Sequence, residues 1–190
     1  MLLDALVIVG GVVLGSFLNV VIYRWPRGGS VVYPPSACVH CGHRLSPLDL
    51  VPIFSFLLLK GRCRYCKNRI SLRYPLVELL TGLALALVYF DHGLTLLTAA
   101  GWLFAAILLV CAFIDIDAGI IPDRLTYPGL LAGIILSFFT IGIKTSLLGA
   151  SLFALVYFIA AVVSKGGMGG GDLAEVAKCG GNFVALCDVD

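Results

Sequence analysis

The sequence predicts an all-α polytopic membrane protein, a helical bundle carrying a small cytoplasmic zinc-ribbon-like insert. Three observations carry that expectation. The 190 residues are 60% hydrophobic and 13% charged, with a mean hydropathy of +1.04, far from the composition of a soluble domain. The charges avoid several long stretches, each comparable to the ~20 residues that cross roughly 30 Å of hydrocarbon as a helix. Two CxxC pairs sit in the only sizeable polar region. This composition excludes a disordered chain and argues against a water-soluble globule.

Five apolar spans are expected, at residues 2–23, 76–90, 95–114, 126–143 and 145–164, with a sixth starting near 172. The implied organisation is a first transmembrane helix (1–24), a tetracysteine insert (25–75), a transmembrane core (76–172) and an incomplete final helix or tail (173–190). Pro26, Pro34, Pro35, Pro47 and Pro52 break helices within the insert. Nine of the thirteen basic residues lie in or beside it: Arg24, Arg27, Arg44, Lys60, Arg62, Arg64, Lys67, Arg69 and Arg73. Positive charge marks the cytoplasmic side, which puts the insert there and the N-terminus outside. Alternation then brings residues 115–125 and 165–172 to the same cytoplasmic face. Met1 to Ala5 lacks the basic start of a secretory signal, so the first span is expected to remain in the mature protein.

Smaller features of the spans read as packing. Gly11-Val-Val-Leu-Gly15 is a G-x-x-x-G pattern that lets helices approach closely. Ser16 and Asn19, one turn apart, are expected to make interhelical polar contacts, Glu78 to meet Arg73 or lipid headgroups, and Cys111 to pack inside a span.

Seven cysteines, an odd number with four in CxxC pairs, read as reduced thiols rather than a disulfide framework. Cys38-Val-His-Cys41 and Cys63-Arg-Tyr-Cys66 are separated by 21 residues. Each tight turn can supply two thiolates, and four thiolates suit tetrahedral zinc. An insert this short has little core of its own and would gain stability from a structural metal. Gly42 and Gly61 beside the turns fit that geometry, and His40 and His43 are left outside the ligand set. The competing reading is four free or redox-active thiols. The basic residues suit anionic lipid headgroups as partners. Tyr65 and Tyr74 form no repeated aromatic platform, so nucleic acid is not an expected partner.

Only eleven acidic residues exist, and their placement is informative. Asp115, Asp117 and Asp123 cluster in one cytoplasmic junction, and Asp172 closes Gly166-Gly-Met-Gly-Gly-Gly-Asp172 in the next. A carboxylate at the edge of hydrocarbon is costly unless it reaches water or a partner, which marks it as a functional candidate. Two carboxylates around one water suit peptide hydrolysis: the ionised one takes a proton from water while the protonated one hydrogen-bonds the scissile carbonyl oxygen. Asp172 is one member, and position leaves Asp115, Asp117 and Asp123 open as the other. Gly169 and Gly171 permit close backbone approach of an extended substrate. The glycine run lacks the lysine of a phosphate-binding loop, and a carboxylate there would repel phosphate. A flexible connector with a solvated Asp172 is the competing reading.

Five motifs in order resemble the type IV prepilin leader peptidases. They are Gly15-Ser-Phe-Leu-Asn-Val-Val-Ile-Tyr-Arg24, the two CxxC pairs, Arg73-Tyr-Pro-Leu-Val-Glu78, Ile114-Asp-Ile-Asp117 with Pro122-Asp123, and Gly169-Gly-Gly-Asp172. The resemblance runs from about residue 10 to 178. It implies a bacterial inner-membrane GxGD-type aspartic protease whose catalytic residues are Asp115 and Asp172, with Asp117, Asp123, Gly169 and Gly171 in support. The implied substrates are type IV prepilins and type II secretion pseudopilins, cut on the cytoplasmic side. It further implies N-methylation of the new N-terminus with S-adenosylmethionine, although no methyl-donor pocket follows from the residues. The chain departs from the pattern by ending 18 residues after Asp172. That leaves a catalytically inactive, zinc-stabilised membrane scaffold as the alternative function, with a carboxylate-based transporter third.

Overall fold

The computed structural model describes residues 1–120 and 123–140, together with Lys144, Leu148 and Ser151. Every extended element among them is helical: α1 (Leu2–Arg24), α2 (Phe54–Leu58), α3 (Arg73–His92), α4 (Leu96–Ala118) and α5 (Asp123–Phe139). Short 3-10 turns occupy Trp25–Arg27 and Pro47–Leu50. Among the described residues, three helices are long and apolar enough to cross a membrane: Leu2–Arg27, Arg73–His92 and Leu96–Ala118. The chain is an all-α polytopic membrane protein.

The spans begin and end where local chemistry dictates. Pro26 tightens the end of α1 into a 3-10 turn, and Gly28, at φ +69°, stops it. The hydroxyls of Thr95 and Thr98 cap the start of α4 reciprocally. Gly119, at φ +63°, closes the other end by donating to Asp115 O at 2.7 Å. As a result α3 starts three residues before the expected 76, and α4 runs past 114, so Asp115 and Asp117 are helical rather than in a loop. The expected span 126–143 appears as α5, whose 17 residues rise about 26 Å. The expected span 145–164 and the segment from 172 lie outside the described residues, apart from the helical Leu148 and Ser151.

The described chain forms two compact units. The first comprises Met1–Phe90 with Ala112–Ile120. Its centre is an antiparallel pair, α1 against α3, in which each step along one helix is matched by an equal step back along the other. Tyr89 donates to Asp4 at 3.3 Å, and Asn19 donates to Tyr74 O at 3.0 Å. Between them the backbones touch: a Cβ on Gly11 would lie 2.9 Å from Gly82 Cα, and one on Gly15 would lie 2.7 Å from Glu78 Cα. Lipid offers no hydrophobic gain for helix association, so close van der Waals approach and interhelical hydrogen bonds hold such a pair. The G-x-x-x-G and Asn19 expectations are borne out. Leu76, Leu79, Leu83 and Leu87 remain exposed on α3 as the stripe left for lipid.

The second unit contains Asp91–Cys111 and the described residues from Asp123 onward. Here α4 and α5 also approach closely, since a Cβ on Gly129 would lie 2.7 Å from Ile107 Cδ1. Pro128 stands inside α5, beside this glycine.

Candidate metal centre and carboxylate site

The insert builds its cysteine cluster from two loops of one design. In the first, Cys38 donates to His43 O and Gly42 to Cys38 O, both at 2.9 Å. In the second, Cys63 donates to Asn68 O at 2.8 Å and Lys67 to Cys63 O at 3.0 Å. Single antiparallel bridges, Ala37 with Arg44 and Arg62 with Arg69, close the loops. The fourth residue after each leading cysteine adopts a left-handed backbone: Gly42 at φ +69° and Lys67 at +60°. Gly61, also left-handed, belongs to the preceding turn, where it donates to Phe56 O at 2.8 Å. The true counterpart of Gly42 is therefore Lys67, which carries no glycine signal.

The Sγ atoms of Cys38, Cys41, Cys63 and Cys66 all lie within 4.8 Å of one another, and those of Cys38 and Cys66 are 3.9 Å apart. A tetrahedral ion about 2.3 Å from each sulfur needs sulfurs roughly 3.8 Å apart. The Cys38–Cys66 pair meets that spacing and all four sulfurs lie within 4.8 Å, so the donor set suits such an ion after a small contraction. Burial acts to raise the Cys38 thiol, but the backbone N–H groups of Cys41 and His40 and the neighbouring thiols outweigh it and lower it to about 6. At Cys66 the Asn68 backbone acts to lower the thiol, while burial and hydrogen bonds to the other three sulfurs prevail and raise it to about 11. Four thiolates at this spacing need a cation to ionise together. His40 and His43 stand outside the cluster, and the His43 ring lies against Tyr65 with centroids 3.7 Å apart.

A carboxylate that sequence reasoning overlooked locks the second loop. Asp49, with a side chain 4% exposed, accepts from Ser46 N (3.1 Å), Ser46 Oγ (2.8 Å), Arg64 Nε (2.6 Å) and Tyr65 Oη (3.2 Å). Burial acts to raise Asp49, but the hydrogen bonds from Arg64 and Ser46 and the Arg64 charge overcome it and hold the carboxyl at about 2. The available signal was Ser46-Pro-Leu-Asp49, a capping box at the head of the 3-10 turn.

Glu78 and Arg73 take different partners from those expected. Glu78, 7% exposed, accepts the backbone N–H of Ile53 at 2.8 Å and so ties the insert to α3. Arg73 pairs with Asp117. Asp115 and Asp117 occupy the last turn of α4, and two residues along a helix turn the side chain by about 200°. The Arg73 pair therefore commits Asp117 to one face, and Asp115 faces away from it. Asp123 opens α5 in the other unit. Asp172, Gly169 and Gly171 lie outside the described residues.

Residues 9–92 match the bacterial peptidase A24 N-terminal domain, and residues 102–184 match the type IV leader peptidase family. A prepilin leader peptidase/N-methyltransferase from Myxococcus xanthus is 40% identical over 90% of this chain, which spans 53% of that protein. Proteins of the same name from Neisseria gonorrhoeae and Pseudomonas aeruginosa are 35% and 34% identical. Each aligns over 90% of this chain, which covers 70% and 69% of them. The chain thus spans about half the length of the first of these relatives and about two thirds of the others. No solved structure matches it. The ordered motifs, the paired cysteine loops and these matches agree: the chain belongs to the type IV leader peptidase family.

Proposed function

We propose that the chain cleaves the leader peptides of type IV prepilins and type II secretion pseudopilins at the cytoplasmic face of the bacterial inner membrane, and methylates the new N-terminus. The observation that carries the reading is the match over 90% of the chain to relatives named prepilin leader peptidase/N-methyltransferase. The N-terminus then lies outside, the insert 25–75 inside, and the protease core within 76–172.

Asp115 and Asp172 are the catalytic pair in this reading. One carboxylate, ionised, accepts a proton from the attacking water, and the other, protonated, hydrogen-bonds the scissile carbonyl oxygen. As the tetrahedral intermediate collapses, the proton held by the first passes to the leaving amine. The position of Asp115, turned from the Arg73–Asp117 ion pair, supports it over Asp117, because a carboxylate held by a guanidinium is a poor base. Asp117 and Asp123 support the site, while Gly169 and Gly171 make room for an extended substrate backbone.

Zinc is the metal this reading gives Cys38, Cys41, Cys63 and Cys66, in a structural role. S-adenosylmethionine would supply the methyl group. The insert carries a cavity of about 540 Å³, lined in part by Arg44, His43, Ser46 and Tyr65. Its Arg44 guanidinium, and a Tyr65 face already covered by His43, do not fit a sulfonium cation.

Mass spectrometry of a prepilin co-expressed with this chain, in a host lacking its own prepilin peptidase, tests the proposal. Leader loss that disappears in Asp115→Ala and Asp172→Ala supports the protease, and an added methyl mass supports the second activity. A well-expressed chain that leaves the leader intact would instead favour the inactive scaffold.

A further inference from the structure

The insert presents an apolar surface that its own fold leaves uncovered. From Pro47 to Leu58 the exposed large side chains are Leu48, Leu50, Val51, Phe54, Leu57 and Leu58, between 41% and 81% accessible. The segment's one charged residue, Asp49, is folded inward onto Ser46, Arg64 and Tyr65. Neither the 3-10 turn nor α2 contributes a buried residue. Large apolar side chains left exposed together in one short segment outside the membrane spans mark an interaction site.

Its depth is fixed by the Ile53–Glu78 hydrogen bond. Glu78 lies five residues into α3, about 8 Å along a helix that crosses the membrane. Ile53 holds its N–H there through a strained backbone, at φ 59° for a β-branched residue, with Phe54 N bonded to Pro52 O in a three-residue turn. An apolar segment tethered at that level sits where interfacial elements lie, roughly 5–10 Å into the boundary between headgroups and acyl chains. Exposed Lys60, Arg62, Lys67 and Arg69 follow directly in sequence, a cationic rim complementary to anionic headgroups. Exposed leucines, beginning at Leu76, likewise run along α3 through the span.

We propose that residues 47–58 form an interfacial segment immersed in the bilayer surface, so that the metal insert is seated on the membrane at a set depth rather than suspended in water. Its partner is the lipid interface of an anionic bilayer. A protein segment on the same surface is the competing occupant that the experiment must exclude.

The test places a single tryptophan at position 57 (Leu57→Trp, with Trp25→Phe and Trp102→Phe) in the full chain, reconstituted in vesicles of phosphatidylcholine and phosphatidylglycerol. Lipids brominated near the headgroup end of the acyl chain should remove most of its emission. Lipids brominated near the chain terminus should remove less, and aqueous acrylamide little. A control tryptophan on the first cysteine loop (Val39→Trp in the same background) should show the opposite pattern. The proposal is overturned if position 57 is quenched by acrylamide as strongly as position 39. It is equally overturned if position 57 is shielded from acrylamide without bromine quenching, since protein then covers it. Leu58→Trp repeats the measurement should the first variant express poorly.

Discussion

Arg73 and Asp117 form an ion pair that joins the first turn of α3 to the last turn of α4, with side chains only 18% and 26% exposed. The pair splits the two acids of Ile114-Asp-Ile-Asp117 into different roles. Replacing Asp117 with Asn should weaken the charge-assisted contact and cost about 1–3 kcal/mol of stability, while leaving prepilin cleavage within about tenfold, a shift of roughly 1.4 kcal/mol. Asp115→Asn should retain stability and lose cleavage by about 10²–10⁴-fold, as expected when an acid–base group is removed. Thermal unfolding in detergent and a prepilin cleavage time course, run on both variants, decide the assignment. Equal cleavage loss with equal destabilisation would remove the distinction between the two acids.

The α1–α3 contact makes a sharper prediction, because three glycines of one helix differ in what surrounds them. Gly15→Ala would drive a Cβ to 2.7 Å from Glu78 Cα, a backbone atom that cannot step aside. Overpacking of this kind costs about 1–3 kcal/mol. Gly11→Ala meets Gly82 Cα at 2.9 Å and should behave alike. Gly10→Ala meets nothing within 4 Å and should be neutral or stabilise by up to about 1 kcal/mol, since alanine is the better helix former. Unfolding midpoints of the three variants in matched detergent test the order, and a Gly15→Ala protein as stable as Gly10→Ala would refute the close approach.

These contacts show what could and could not be read in advance. Hydropathy located α1, α3 and α4 because twenty apolar residues have few alternatives, and G-x-x-x-G announced the close helix pair because only glycine permits it. The cysteine spacing likewise announced a four-sulfur cluster. Partners of single charges were not legible: Glu78 meets a backbone N–H from the insert and Arg73 meets α4, pairings set by tertiary folding across long stretches of chain. Lys67 was missed because its left-handed backbone is enforced by the loop's hydrogen bonds against its own preference. Local hydropathy also cannot set a helix end to the residue, so Asp115 and Asp117 read as loop although α4 reaches Ala118.

Removal of the metal should unfold the insert and spare the spans. Cys63 is the buried member of the cluster, 4% exposed, and its replacement by Ser should abolish stoichiometric zinc measured by elemental analysis of the purified chain. Cys111, buried in α4 and outside the cluster, should be replaceable by Ala with no change in metal content. Chelation of the parent protein should open the segment between Cys38 and Cys66 to limited proteolysis while the far-ultraviolet helical signal persists, because the long helices draw their order from the bilayer and each other. Zinc retained by Cys63→Ser at full stoichiometry would count against a four-cysteine site.

Asp49 yields a pH dependence whose sign follows from its environment. Its carboxyl is held at about 2, below the ordinary 3.8, so the folded state favours the ionised form. The stability it contributes is therefore complete above about pH 4 and is lost as the pH falls toward 2. The amide of Ser46, which donates to Asp49 Oδ2 at 3.1 Å, reports that bond directly through hydrogen exchange. In the parent chain, corrected for the intrinsic exchange rate, its protection should hold from neutral pH to about 4 and then fall. In Asp49→Asn it should already be reduced at neutral pH and change little below 4, since the amide has no carboxylate to protonate. Acid also competes with the metal for the four cysteine sulfurs, so metal content is followed at each pH beside the Ser46 exchange. A fall in Ser46 protection that follows metal release, with parent and Asp49→Asn curves superimposed, would mean that the metal orders this turn and Asp49 does not.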